Sequence, residues 1–186
     1  ALPIWGLHMP FIPWHYLHLE DLLLAANGLI LHSASIVYKG EAILFTAPSG
    51  TGKTTQTNLW HQYLDNVEDI NGDLTLMQKS GDSWYACGYP ISGSSNRCFQ
   101  RADRIRAIVV VRQAAEDRVI PMTSKEKSYA LLSQIKVLPF TEQFADKEFS
   151  LLEDLINDTS IEICQLNCTM NPSAVHVLHT HLFGEK

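Results

Sequence analysis

The apolar stretch Ala42-Ile-Leu-Phe-Thr46 ends abruptly in Ala47-Pro-Ser-Gly-Thr-Gly-Lys-Thr54, and helical spacing of Leu59, Trp60 and Leu64 follows. Few architectures accept a buried strand that turns through two glycines into a helix. It needs a sheet with a helix laid across it, the basic unit of an α/β fold. The chemistry of the turn is as restricted as its shape. Gly50 and Gly52 let backbone N–H groups curl around an anion, and the helix start brings the positive end of its dipole to the same point. Lys53 is placed to reach β- and γ-phosphates, and the Thr54 hydroxyl to hold Mg²⁺. The run matches G-x-x-x-x-G-K-[ST] except that Ala47 stands at the first glycine. Alanine dislikes positive φ, so the start of the loop should differ slightly from the pattern. The simpler reading, a glycine turn with an incidental lysine, does not explain the whole run in its strand–helix setting. The expected nucleotide ligands are Ser49, Gly50, Thr51, Gly52, Lys53, Thr54 and Thr55.

A metal-holding phosphate site also needs an acid on a neighbouring strand. Asp69, Asn71 and Asp73 stand at i, i+2 and i+4, so an extended chain would point all three to one face. Asp73, beside Gly72, is the expected metal ligand or general base; Asn71-Gly72-Asp73 also reads as an ordinary turn.

The rest of the chain supports one mixed α/β domain. A proline- and aromatic-rich arm over residues 1–15 leads to a helix over Tyr16–Ala26, stopped by Asn27-Gly28. We expect residues 1–28 to pack on a core formed by 29–186. Strands are expected over Leu29–Tyr38 and Glu41–Thr46 with a Lys39-Gly40 turn, then at Leu74–Gln78, Trp84–Cys87, Arg104–Arg112 and from Ile161. The segment Tyr89–Ala102 reads as loop. Thr123-Ser-Lys-Glu126 is a capping box that opens a helix to about Ile135, a second helix covers Thr141–Asn157, and Asn171-Pro172 starts the last, with Asn as its cap. Within the first strand, Leu31, Ser33, Ser35 and Val37 share one face, and His32, Ala34 and Ile36 the other.

Composition excludes several classes. At 46% hydrophobic and 18% charged, the chain is not disordered. A net charge of −6 argues against a general nucleic-acid or anionic-membrane binder. The longest apolar run, Leu22–Leu31 with its flanks, is interrupted by Asp21, Asn27 and His32, so no membrane span is expected. The first residues lack the basic and apolar segments of a secretory signal, and four cysteines in 186 residues form no disulfide scaffold; both point to the cytoplasm. The chain does not begin with Met, which leaves room for a longer N-terminal part. Cys164 and Cys168, followed by His176, His179 and His181, have spacing that some zinc sites use. The alternation of Ile161-Glu-Ile-Cys-Gln-Leu instead makes Cys164 a core strand residue, with the histidines decorating a helix, and this is the preferred reading.

The run His32-Ser-Ala-Ser-Ile-Val-Tyr-Lys-Gly-Glu-Ala-Ile-Leu-Phe-Thr-Ala-Pro-Ser-Gly-Thr-Gly-Lys-Thr resembles the catalytic domain of HPr kinase/phosphorylase, a family that shares its fold with the phosphoenolpyruvate carboxykinases. The resemblance covers roughly residues 29–112. It implies a mixed-sheet kinase that uses ATP and Mg²⁺, with His32, Lys53 and Asp73 in catalysis and Thr54 and Asp73 at the metal. The implied acceptor is a serine hydroxyl on a small protein or peptide; a homo-oligomer is left open. Without the resemblance, His32 reads equally as a satisfied core histidine. The sequence departs from the family at two places. The paired acids after the loop read Gly72-Asp73, so one carboxylate role is vacant or falls to Asp69 or Asn71. Cys87-Gly-Tyr-Pro-Ile-Ser-Gly-Ser-Ser95 replaces a glycine-rich signature. HPr itself, and the reverse phosphorolysis, are therefore not the expected reaction. Small HPr-kinase-like proteins that modify peptides are the nearer resemblance. Arg97, Arg101, Arg104 and Arg106 flank this loop; one suits an arginine finger, and the others read as solvated charges. The alternatives are a non-catalytic ATP- or GTP-binding regulatory module and a small-molecule kinase.

Overall fold

In the computed structural model, residues 19–136 and 142–184 are described; the arm expected at 1–15 lies outside them. The first described helix, α1 (Leu19–Ala25), ends at Asn27, whose φ of 62° takes the left-handed cap position before strand β1 (Gly28–Tyr38). β1 and β2 (Glu41–Thr46) form a hairpin in the expected register. Both turn residues, Lys39 and Gly40, have positive φ (53° and 80°), the geometry that matches strand twist.

β1 changes partners along its length. Gly28–His32 pairs with β4 (Leu74–Ser80), Ser33–Tyr38 with β2, and Ser35–Val37 with the short β3 (Glu68–Asn71), all antiparallel. The other long strand, β6 (Ala102–Gln113), does the same. Its first residues pair antiparallel with β5 (Ser83–Gly88). Its remainder runs parallel to β2 on one side and to β8 (Glu162–Cys168) on the other. β7 (Arg118–Pro121) pairs antiparallel with β8. An antiparallel layer β1–β4–β5–β6 and a mixed layer β3–β1–β2–β6–β8–β7 therefore share two strands. Where β1 passes between layers, buried Ser33 and Ser35 each bond to Thr75 Oγ1, at 2.9 and 2.7 Å. The buried hydroxyls are thus satisfied within the sheet.

Helices cover both faces of the mixed layer. Leu24 of α1, Leu131 of α3 (Ser124–Leu132) and Leu151, Leu152 and Leu155 of α4 (Glu142–Asn157) pack with Leu31, Leu44 and Ile108. On the other face, Leu59 and Trp60 of α2 (Lys53–Tyr63) and Val175, Leu178 and Leu182 of α5 (Ser173–Phe183) pack with Ile36, Ile43, Phe45 and Val109. Alternate residues of β2 feed opposite cores, which is why its sequence reads as one apolar run. The result is a single mixed α/β domain.

The capping box at Thr123 and Glu126 forms as expected. One strand went unread and one local expectation is corrected. Arg118–Pro121 is a strand that the sequence reading did not name, because four residues with a terminal proline carry no readable alternation. Asn171 does not cap α5. Pro172 holds the cap position, and Asp117 accepts bonds from the Thr169 N–H (2.6 Å) and the Thr169 and Ser173 hydroxyls around that helix start. Burial alone would raise the Asp117 carboxyl, but these bonds outweigh it and hold its pKa down.

Candidate active site

The glycine loop leaves the C-terminal end of β2, where the parallel strands β6 and β8 also end. Ala47 is buried in the core and is not among the positive-φ residues, so alanine fits the loop's first position in ordinary backbone. Gly50 (φ 78°) and Gly52 (φ 115°) both adopt the left-handed conformation that side chains resist. Gly52 is the N-cap of α2, and the first helical bond runs from the Gln56 N–H to its carbonyl at 3.0 Å. The amides of Lys53, Thr54 and Thr55 therefore have no helical acceptor and crown the loop. Gln113, at the end of β6, braces the loop from the side by donating to the Thr51 carbonyl at 3.2 Å.

Lys53, His32 and Asp73 come together beside this loop. Lys53 is buried and folds back, its Nζ donating to Ala47 O at 2.8 Å and lying 3.5 Å from Pro48 O. Burial lowers its pKa, and the Asp73 carboxylate opposes that shift. His32 Nδ1 is 3.0 Å from Gln134 Oε1, and Nε2 is 3.5 Å from Asp73 Oδ1. The Gln134 amide is oriented by its Nε2, which donates to Ser133 O and Oγ. The neutral His32 ring accordingly keeps its proton on Nδ1. Gln134 arrives because residues 134–136 run along β1: His32 N–H donates to Gln134 O (2.9 Å) and Lys136 N–H to Ile30 O (2.8 Å). Lys136 thereby adds positive charge near His32 and Lys53.

Burial, then the Lys53 charge, lowers the His32 pKa below its ordinary 6.5. On acidification the unfolded chain protonates this histidine before the folded one does, so stability falls as pH drops below 6.5. We expect the loss in urea midpoint between about pH 7.5 and about pH 5.5 to shrink in His32→Gln. An unchanged loss would show that His32 does not contribute to it.

The three polar residues expected to act together are separated. β3 ends at Asn71, and Gly72-Asp73 bends away. Asp69 is held by His61 (3.0 Å) and Arg97 (3.6 Å). Asn71 is buried, donates to Tyr89 O and Ile91 O, and accepts from the Asp73 and Leu74 N–H groups. It is a clamp between two loops, so Asp73 remains the one carboxylate beside Lys53 among the described residues. Gly72 has a packing reason: a Cβ there would run into Ser95 Oγ and Cβ. The neighbouring Gly93, at φ 55°, sits against Asp73, with a Cβ placed 2.9 Å from its Cγ. Restoring an acid with Gly72→Asp should therefore lift the Ser92–Arg97 loop and cost about 1–3 kcal/mol, read by urea unfolding. An unchanged midpoint would contradict the packing.

Three of the four arginines are not solvated loop charges, and Arg104 is exposed on β6. Arg97 meets Asp69, Arg101 bonds Glu68 and Asp103, and Arg106 bonds Leu182 O (2.7 Å). A hollow outside this site is rimmed by Asp82, Glu153, Asp154 and Asp158. Its Lys79 is bonded to Asp154 at 2.5 Å, so it offers no free cation to a phosphate.

The structure brings together Lys53, His32 and Asp73, which the sequence reading named, and sets beside them Gln113, Gln134 and Lys136, which it did not. The only signal for Gln134 and Lys136 was their place just after a capped helix, which says nothing of β1. Thr54, exposed at the start of α2, and Asp73 offer hard oxygen donors, a hydroxyl and a carboxylate, of the kind Mg²⁺ takes. Among the described residues, no helix is long and apolar enough to cross a membrane. No family model matches the chain, and no curated protein matches it. Among solved structures, it is similar to the Hpr(Ser) kinase/phosphatase from Coxiella burnetii, with a TM-score of 0.46 and 7% identity over 82% of this chain and 95% of that one.

Proposed function

We propose that this chain binds Mg²⁺ and ATP at Ser49–Thr55 and transfers the γ-phosphoryl group to a hydroxyl of a protein or peptide acceptor. The observation that supports it best is the meeting of Lys53, His32 and Asp73 beside a strand–loop–helix turn whose amides are free to bind anions. In this reading the loop amides and Lys53 hold the triphosphate, so Lys53 leaves the Ala47 carbonyl when nucleotide binds. Thr54 and Asp73 would hold the metal, which would supply positive charge to offset that of the phosphates. His32, whose Nδ1 is committed to Gln134, steadies the phosphate end once a second proton on Nε2 makes that nitrogen a donor, and Asp73 accepts the acceptor's hydroxyl proton. Most of the rate then comes from positioning and charge stabilisation. A serine hydroxyl is the acceptor that the sequence resemblance implies, and the cytoplasm the compartment that cysteine usage favours.

One observation favours a second reading, a nucleotide-binding regulatory module without catalysis. Position 72 has no room for the second acid, and both Asp69 and Asn71 are otherwise engaged. Incubation with labelled ATP and candidate acceptor peptides separates the two. Label in a peptide, dependent on Mg²⁺, supports the kinase; tight ATP binding without transfer or hydrolysis supports the module.

A further inference from the structure

Two residues apart on β8, Glu162 and Cys164 turn their side chains to one face of the sheet, and the last turn of α5 lays His181 over them. Their carboxylate, thiol and imidazole atoms all lie within 4.8 Å of one another, and His181 Nε2 is 3.4 Å from Glu162 Oε1. We propose that Glu162, Cys164 and His181 form a binding site for a thiophilic divalent metal ion, Zn²⁺ above all.

Nitrogen and oxygen ligands at about 2.0–2.1 Å on a tetrahedral zinc stand about 3.4 Å apart. That edge is already present, and the sulfur, within 4.8 Å of both partners, has to close by no more than about 1.3 Å. An exposed Glu–His pair is worth little by itself. Beneath it lies a fully buried thiol, packed in the core, to which no described residue hydrogen-bonds. Thiolate, imidazole and carboxylate together are the donor set that borderline-soft ions select over Mg²⁺. Binding is a proton exchange: the Cys164 S–H gives its proton to water as the sulfur–metal bond forms. His181 contributes the Nε2 lone pair, and Glu162 its charge. Two anionic ligands then balance the dication. Burial, aided by the Glu162 charge, pushes the empty thiol's pKa up to about 12, so affinity rises with pH. Glu162 and His181 are each 41% exposed, which leaves the fourth coordination place open to water.

The site is separate from the nucleotide loop. Glu162 and Cys164 occupy the first half of β8, whereas the loop lies beyond the C-terminal end of the parallel strand β2. It is also not the cluster that the sequence spacing brought together. Cys168 interacts with Gln56, and His179 packs against Tyr38, Trp60 and Phe183.

The test is a titration of the chelator-stripped chain with Co²⁺, followed by displacement with Zn²⁺. We expect one equivalent to bind with a thiolate-to-cobalt charge-transfer band that zinc abolishes. Cys164→Ser should remove the band and Cys168→Ser should keep it. His181→Ala and Glu162→Gln should each weaken binding at least about tenfold. Absence of binding, a band that survives Cys164→Ser, or unchanged affinity in both His181→Ala and Glu162→Gln would overturn the proposal. If Cys164→Ser fails to fold, these last two variants decide, because neither side chain is buried. ATP affinity should be unchanged in both, which keeps this test apart from that of the nucleotide site.

Discussion

Replacing Lys53 by Ala should lower the affinity for Mg²⁺ and ATP by about 10–100-fold, the value of one or two hydrogen bonds to a charged partner. The geometry of the loop shows why the effect should appear in binding and not in folding. Lys53 Nζ rests on the Ala47 carbonyl, 2.8 Å away, which is a weak partner for a buried cation. Phosphate oxygens are a better one, so the side chain has more to gain in the complex than in the free protein. Lys53→Met, which keeps the length and removes the charge, separates lost charge from lost packing. Isothermal titration of both variants measures it. Wild-type affinity in both would remove the loop from the nucleotide site and with it the proposed function.

The second large effect is expected at Asp73. Asp73→Asn keeps shape and backbone, including the Ser33 N–H bond to the Asp73 carbonyl at 2.9 Å. It removes the charge that faces His32 and acts on Lys53. Phosphoryl transfer should fall about 10²–10⁴-fold, the usual range for a positioned proton acceptor. ATP affinity should change less than about tenfold, since the loop amides and Lys53 are untouched. Normal turnover in the variant would reassign the base. A parallel loss of binding and turnover would make Asp73 a metal ligand alone.

Much of the fold could be read from residues because it is encoded locally. The Lys39-Gly40 turn, the glycines at positions 50 and 52, the Asn27 stop and the Thr123–Glu126 box each depend on neighbours a few positions away. Each forms close to where the sequence indicates. What could not be read depends on pairing across the chain. Gln134 meets His32 over 102 positions, and it does so because the chain after α3 runs along β1. No period or composition in that segment encodes the meeting. Position 72 is similar. The sequence reads Gly72 as a lost acid, whereas the structure gives the glycine a neighbour, Ser95, that a side chain there would have to displace. Asn71 looked like a weakened ligand and is a loop clamp, because buried amides are retained where they can satisfy several backbone groups at once.

The two strands shared between layers also bear on how the chain acquires its structure. The hairpin of β1 and β2 is local, but β2 gains its parallel neighbour only when Ile105–Val110 has been made, and β8 joins later still. Nucleation must therefore wait for contacts of long sequence separation, whose loop-closure entropy comes before any packing gain. Refolding should belong to the millisecond-to-second regime of non-local topologies, not the microsecond regime of helical bundles. During synthesis the glycine loop emerges at the open end of an unsupported hairpin, and the strand that leads into it gains its parallel neighbour only when Val110 has been made.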